Sequence, residues 1–142
     1  MNFTQRMRRT RKTEIISPYR DFSVIQQCSG NFMAIQVINE TRALAGSGVD
    51  IGSHTVNHLW LGKTKDSVVI KELQDSKKAL EDILGQEVPH FAYPFGSWNL
   101  PVRDAVIEAG YTGACSTISG RNHKGIDPYI LRRSEIKGSD SP

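Results

Sequence analysis

The sequence predicts an α/β fold, a partial, distorted (β/α) barrel of parallel strands joined by crossover helices. Three observations carry that expectation. From about Met33 to Thr117 the apolar pattern alternates between helical and strand periods, Gly closes each helical stretch, and the chain's 142 residues suffice for one domain but not two. Apolar residues make up 38% and charged residues 23%, a balance that can bury a core and differs from disordered chains.

The elements follow in order. Ala34, Val37, Ile38, Thr41 and Ala45 keep helical spacing, with Gly46 as a stop. Val49–Ser53 reads as a strand that delivers His54. Val69, Leu73, Leu80, Ile83 and Leu84 form the apolar stripe of the longest helix, with Thr64 or Ser67 as its cap and Gly85 beyond its end. Glu87–Tyr93 reads as a buried strand held to a few residues by Pro89 and Pro94, and Pro94-Phe95-Gly96-Ser97 must turn. Asn99 caps a third helix carrying Val102, Ala105, Val106 and Ala109, and Gly110 stops it. Tyr111–Thr117 is the next strand, and Ile130–Ile136 a further short one.

Charge is uneven. The net +3 conceals a local +5 within residues 1–20, where Arg6, Arg8, Arg9, Arg11, Lys12 and Arg20 face Glu14. That cluster has no interleaved aromatic residues and no recognition fold behind it, so no nucleic-acid partner is expected. No apolar run is long enough for a membrane span, and Thr13–Tyr19 lacks the apolar stretch of a secretion signal. Cys28 and Cys115 form no metal-binding or disulfide pattern, and the compartment stays open.

In parallel α/β folds, chemistry gathers at the carboxyl ends of strands. Two constellations stand there. Ser53-His54-Thr55-Val56-Asn57-His58 sets two imidazoles four residues apart; if the chain turned helically, one face would present both to a divalent ion. The pair alone also fits two ordinary satisfied histidines, and a metal needs a third ligand. Asp50 cannot supply it, because about 13 Å of extended strand separates it from His54. The second constellation, Phe91-Ala92-Tyr93-Pro94-Phe95-Gly96-Ser97-Trp98, runs an aromatic strand into a Pro/Gly turn whose N–H groups could face a bound oxygen, or it is simply core aromatics ending in a turn.

The segment Gly48–His58, the helix containing Lys71-Glu72-Leu73 and Ser76-Lys77-Lys78-Ala79-Leu80, the run Phe91–Gly96 and Glu108-Ala109-Gly110-Tyr111 resemble, in order and spacing, the polysaccharide deacetylase family with its NodB-homology domain. The likeness is nearest to the branch acting on poly-N-acetylglucosamine. It divides the chain into a basic, poorly matching segment 1–32, a partial deacetylase domain 33–137 and a tail 138–142. The resemblance implies a hydrolase that removes acetyl groups from an N-acetylated polysaccharide. It implies that His54 and His58 bind a divalent metal, commonly zinc, and that the Phe95 N–H helps hold the oxyanion. Tyr93, Pro94 and Gly96 then match the substrate groove, with Trp98 beside it and Arg133 at a basic position of a later strand.

The departures are specific. Nothing in residues 1–32 matches the family's paired-aspartate motif, source of the catalytic base and third metal ligand; Asp21 is the sole aspartate there. Ala92 stands where many relatives carry an arginine, and no Leu-x-x-His motif follows. The chain therefore reads as the middle of a deacetylase without its first strand. The expected consequences are an open sheet edge suited to self-association and little or no turnover.

Overall fold

The computed structural model describes residues 13–15 and 31–133, with side chains described from residue 38 onward. Among the described residues, strands and α-helices alternate as far as the fourth strand, and a fifth strand follows it: β1 (Thr13–Ile15), α1 (Asn31–Gly46), β2 (Asp50–Gly52), α2 (Asp66–Leu84), β3 (His90–Ala92), α3 (Leu100–Glu108), β4 (Gly113–Ser119) and β5 (Leu131–Arg133). Every pairing is parallel: β1 with β2, β3 with β4, and β4 with β5. A bridge between Ser53 and Phe91 links β2 to β3 and joins the two sheets into one array. This is the α/β architecture expected, with each strand's carboxyl end opening toward the same side.

One expectation is corrected at the amino end. A first strand is present: Thr13, Glu14 and Ile15 pair in parallel with Asp50, Ile51 and Gly52. Two β-branched residues flank Glu14, a segment too short to stand out by alternation beside the basic run. Asp21 and residues 134–142, including the remainder of the Ile130–Ile136 strand and the tail, lie outside the described residues.

The other strands are shorter or shifted for identifiable reasons. Val88 donates its N–H to the Glu81 carboxylate at 3.0 Å and lends its carbonyl to Lys77 Nζ at 2.8 Å, so the ladder of β3 starts only at His90. Tyr111 donates back to Val106 O at 3.3 Å as the chain leaves α3, which moves the start of β4 to Gly113.

Helix ends obey local chemistry. Gly85 takes a left-handed φ of 66° and closes α2, and the Asn99 side chain accepts the Val102 N–H at 2.9 Å to open α3. Neither Thr64 nor Ser67 caps α2. Lys65 occupies the cap position without a side-chain bond, and the Thr64 hydroxyl instead donates to Trp60 O at 2.9 Å.

The main core lies between the sheet and helices α2 and α3, built from Leu61, Val69, Leu73, Phe91, Tyr93, Val102, Val106, Tyr111 and Ala114. A smaller cluster of Ile51, Leu80 and Val88 sits under the other end of α2. No helix among the described residues is long and apolar enough to cross a membrane.

Candidate active site

The carboxyl ends of β2 and β3 are fastened to each other and to α2. Ser53 donates its N–H to His90 O at 2.8 Å and accepts the Ala92 N–H at 2.9 Å. Its buried hydroxyl donates to Ser76 Oγ on α2 at 2.9 Å, and Ser76 in turn donates to Leu73 O at 3.1 Å. The residue after Ser53 therefore leaves a fixed point.

That residue is His54. The chain does not take the helical turn that would set both rings on one face: Thr55 and His58 both adopt left-handed backbone, with φ of 65° and 55°. The Thr55 hydroxyl, fully buried, accepts the His58 N–H at 3.1 Å and closes a tight turn instead. The turn still brings the imidazoles together, with His54 Nε2 and His58 Nε2 3.1 Å apart.

His54 is fixed in one tautomer. Its Nδ1 lies 2.7 Å from the Ala92 carbonyl, which can only accept, so Nδ1 carries the proton and Nε2 of the neutral ring presents a lone pair toward His58. Burial pushes the His54 pKa below its ordinary value; the Ala92 carbonyl opposes this shift, whereas His58 and Arg133 add to it. The ring is thus neutral near pH 7, as a metal ligand must be.

Two nitrogens each about 2.0–2.1 Å from one ion, at angles of about 90–110°, lie about 2.9–3.4 Å apart. The observed separation of 3.1 Å falls in that range, so the histidines fit two corners of a metal site. Among the described residues no Asp, Glu, Cys or third His joins them.

The Pro94–Gly96 turn stands beside the pair although some 35 residues separate them in sequence. The Phe95 ring meets His58 edge-on at a centroid distance of 4.5 Å and stacks on Trp60 at 4.3 Å and 8°. Phe95 holds a φ of 56°, costly for a side chain of this size, in a turn whose internal bonds are donated by Gly96 and Ser97. Gly96 is required there, because a Cβ would lie 2.0 Å from Thr117 Oγ1.

The remaining predicted residues sit at different depths. Pro94 and Tyr93 are buried beneath the turn, with the Tyr93 hydroxyl donating to Tyr129 O at 2.9 Å. Burial raises the Tyr93 pKa far above the usual phenol range. Trp98 is half-buried against the main core. Arg133, exposed at the end of β5, donates from Nε to Ser116 O at 2.9 Å and places its positive charge near His54.

Two residues of this region escaped the sequence reading of the site. Trp60, half exposed, extends the aromatic surface beyond Phe95, and its signal was an aromatic two residues after His58. Glu72 is buried on α2 and binds the loop between the histidines; its signal was a carboxylate next to the apolar positions Val69 and Leu73.

The chain has counterparts among known proteins. Residues 24–114 match the family model described as polysaccharide deacetylase. YxkH of Bacillus subtilis strain 168, named as a polysaccharide deacetylase, is 28% identical over 97 residues, covering 68% of this chain and 35% of its own length. A gellan lyase of a Bacillus species is 45% identical over 97 residues, again 68% of this chain but only 4% of that protein. Among solved structures, deacetylase PplD of Streptococcus pyogenes in complex with acetate matches with a TM-score of 0.67 and 26% identity, over 70% of this chain and 44% of that one. The chain thus spans well under two thirds of the relatives it matches.

Proposed function

This chain belongs to the polysaccharide deacetylase family, and from that premise we propose that its site serves metal-dependent hydrolysis of the acetamide of N-acetylglucosamine polymers. The observation that carries the reading is the His54–His58 pair, converged at 3.1 Å, with His54 held in the ligand tautomer by the Ala92 carbonyl and the Pro94–Gly96 turn against His58. Hydrolysis adds water across the amide C–N bond and releases acetate and a free sugar amine. A divalent metal, commonly zinc, would be held by His54 and His58 and would supply Lewis-acid polarisation of the carbonyl and a lowered pKa of water.

The chain's own residues would supply the oxyanion donor and the substrate surface. The Phe95 N–H donates to the oxyanion that develops on the amide oxygen. Phe95 and Trp60 present an apolar surface to the sugar ring, Gly96 keeps the turn close to β4, and Arg133 offers a cation at the rim. Tyr93 and Pro94 support the turn from below, and Trp98 anchors its far end.

A second reading, binding of glycan or metal without turnover, is favoured by one observation: among the described residues no carboxylate stands with the histidines to act as base. Acetate release from a chitooligosaccharide, with and without added zinc, separates the two. Zinc-dependent release supports catalysis and directs attention to Asp21. Zinc or oligosaccharide binding without acetate supports the second reading. Self-association by strand addition has β1 and β5, the end strands among the described residues, as its candidate edges, and light scattering checks it.

A further inference from the structure

Glu72 is 5% exposed, on the face of α2 that packs toward the sheet. A buried carboxylate needs several charge-assisted hydrogen bonds to offset its desolvation. Glu72 has three, and all come from the loop between the histidines. Oε2 accepts the N–H of Val56 at 2.9 Å and of Asn57 at 2.8 Å, while Oε1 accepts from Asn57 Nδ2 at 2.6 Å. Val56 and Asn57 lie between Thr55 and His58, the two residues with strained left-handed backbone. Thr55, β-branched, disfavours that conformation, neither residue is Gly, and the one local bond that supports the turn is from the His58 N–H to the Thr55 hydroxyl.

We propose that Glu72 is a positioning residue. Its carboxylate holds the amides of Val56 and Asn57 so that the strained loop returns His58 Nε2 to His54 Nε2. The inference rests on the metal reading of the pair for its consequence, but the clamp itself concerns only this chain's loop. It reaches no substrate and takes no proton; it acts through the two imidazoles.

The test exploits the directionality of the clamp. In Glu72→Gln, one amide oxygen can still accept from the two backbone N–H groups, but both bonds lose their charge assistance, and the Asn57 amide must turn over to set its Oδ1 against the new NH₂. In Asn57→Asp, two carboxylates face each other. Combining E72Q with N57D restores a donor opposite an acceptor. Each single variant is expected to weaken Zn²⁺ binding, measured by calorimetric titration of the full chain, by about 10–100-fold, and the double variant is expected to recover most of the loss. Hydrogen exchange of the Val56 and Asn57 amides, measured without metal, should accelerate in each single variant and slow again in the double. Single variants that stay folded, bind Zn²⁺ as tightly as the wild type and keep both amides protected would overturn the proposal. If a single variant fails to fold, recovery of folding and amide protection in the double supports the clamp, and failure to recover overturns it. A wild type that ignores Zn²⁺ while amide protection follows the swap would sink the metal reading and leave the clamp standing.

Discussion

The Nδ1 of His54 lies 2.7 Å from the carbonyl oxygen of Ala92, the residue that also donates its N–H to Ser53 at 2.9 Å. One residue of β3 thus sets both the end of β2 and the tautomer of the imidazole that follows it. Residue 92 does this through its backbone, so its side chain can be as small as alanine.

From this follows a prediction on metal binding. His58→Ala should abolish measurable Zn²⁺ binding while leaving the fold intact, because the His58 ring is exposed and its removal opens no core cavity. Thermal denaturation reads the outcome: Zn²⁺ at about 100 times its Kd should stabilise the wild type by about 2.7 kcal/mol and the variant by nothing. Equal stabilisation of both would remove the histidine pair from the site.

Acidification should destabilise the metal-free protein. Burial is the main cause holding the His54 pKa below its ordinary 6.5, so the unfolded chain takes up a proton at higher pH than the folded one. The contribution of neutral His54 to stability is therefore complete above about pH 6.5 and is lost as pH falls toward the lowered folded-state value. With chelator present, melting temperature should fall between about pH 7 and pH 5, and His54→Gln should make that slope shallower. An unchanged slope would show that His54 does not titrate as its burial requires.

How much of this was legible in the sequence depends on the kind of interaction. Helix limits at Gly85 and Asn99 were readable because backbone conformation and capping are local. The proximity of Phe95 to His58 was readable from topology, since successive parallel strands joined by a helix open to one side. The shape of the His54–His58 loop was not, because Thr55 adopts left-handed backbone against its β-branched preference and the amides of Val56 and Asn57 are bonded by the distant Glu72 carboxylate. β1 was missed for a similar reason: three residues become a strand only by pairing with β2.

Gly96→Ala should disturb the turn more than an ordinary Gly→Ala change. Its φ of 64° already disfavours a side chain, and the added Cβ would lie 2.0 Å from Thr117 Oγ1 and 2.9 Å from Thr117 Cβ. Strain plus overpacking predicts a loss of about 2–4 kcal/mol in denaturant unfolding. Thr117→Gly in the same background should recover the side-chain part of the clash and leave the φ strain and the 3.0 Å approach to the backbone N of residue 117. If the double variant is no more stable than the single, the clash with Thr117 is not what the glycine avoids.

Phe95 separates backbone strain from ring contact. At a φ of 56° any residue but glycine is strained, while the ring gains from stacking on Trp60 at 4.3 Å and meeting His58 at 4.5 Å. Phe95→Ala removes the ring and keeps the strain; Phe95→Gly removes both. The glycine variant should therefore be more stable than the alanine variant by about 1 kcal/mol, the scale of the left-handed penalty for a residue with a Cβ. Both should retain Zn²⁺ binding, since the ring touches His58 from the side and supplies no ligand atom. In both, the N–H of residue 95 remains, so a deacetylase reaction that depends on that donor should survive the loss of the ring better than it survives Pro94→Gly, which frees the turn. Equal stability of the alanine and glycine variants would mean that the turn relaxes out of the left-handed region once the ring is gone. The ring contacts with Trp60 and His58, rather than the Pro-Gly frame, would then be what holds the N–H in place.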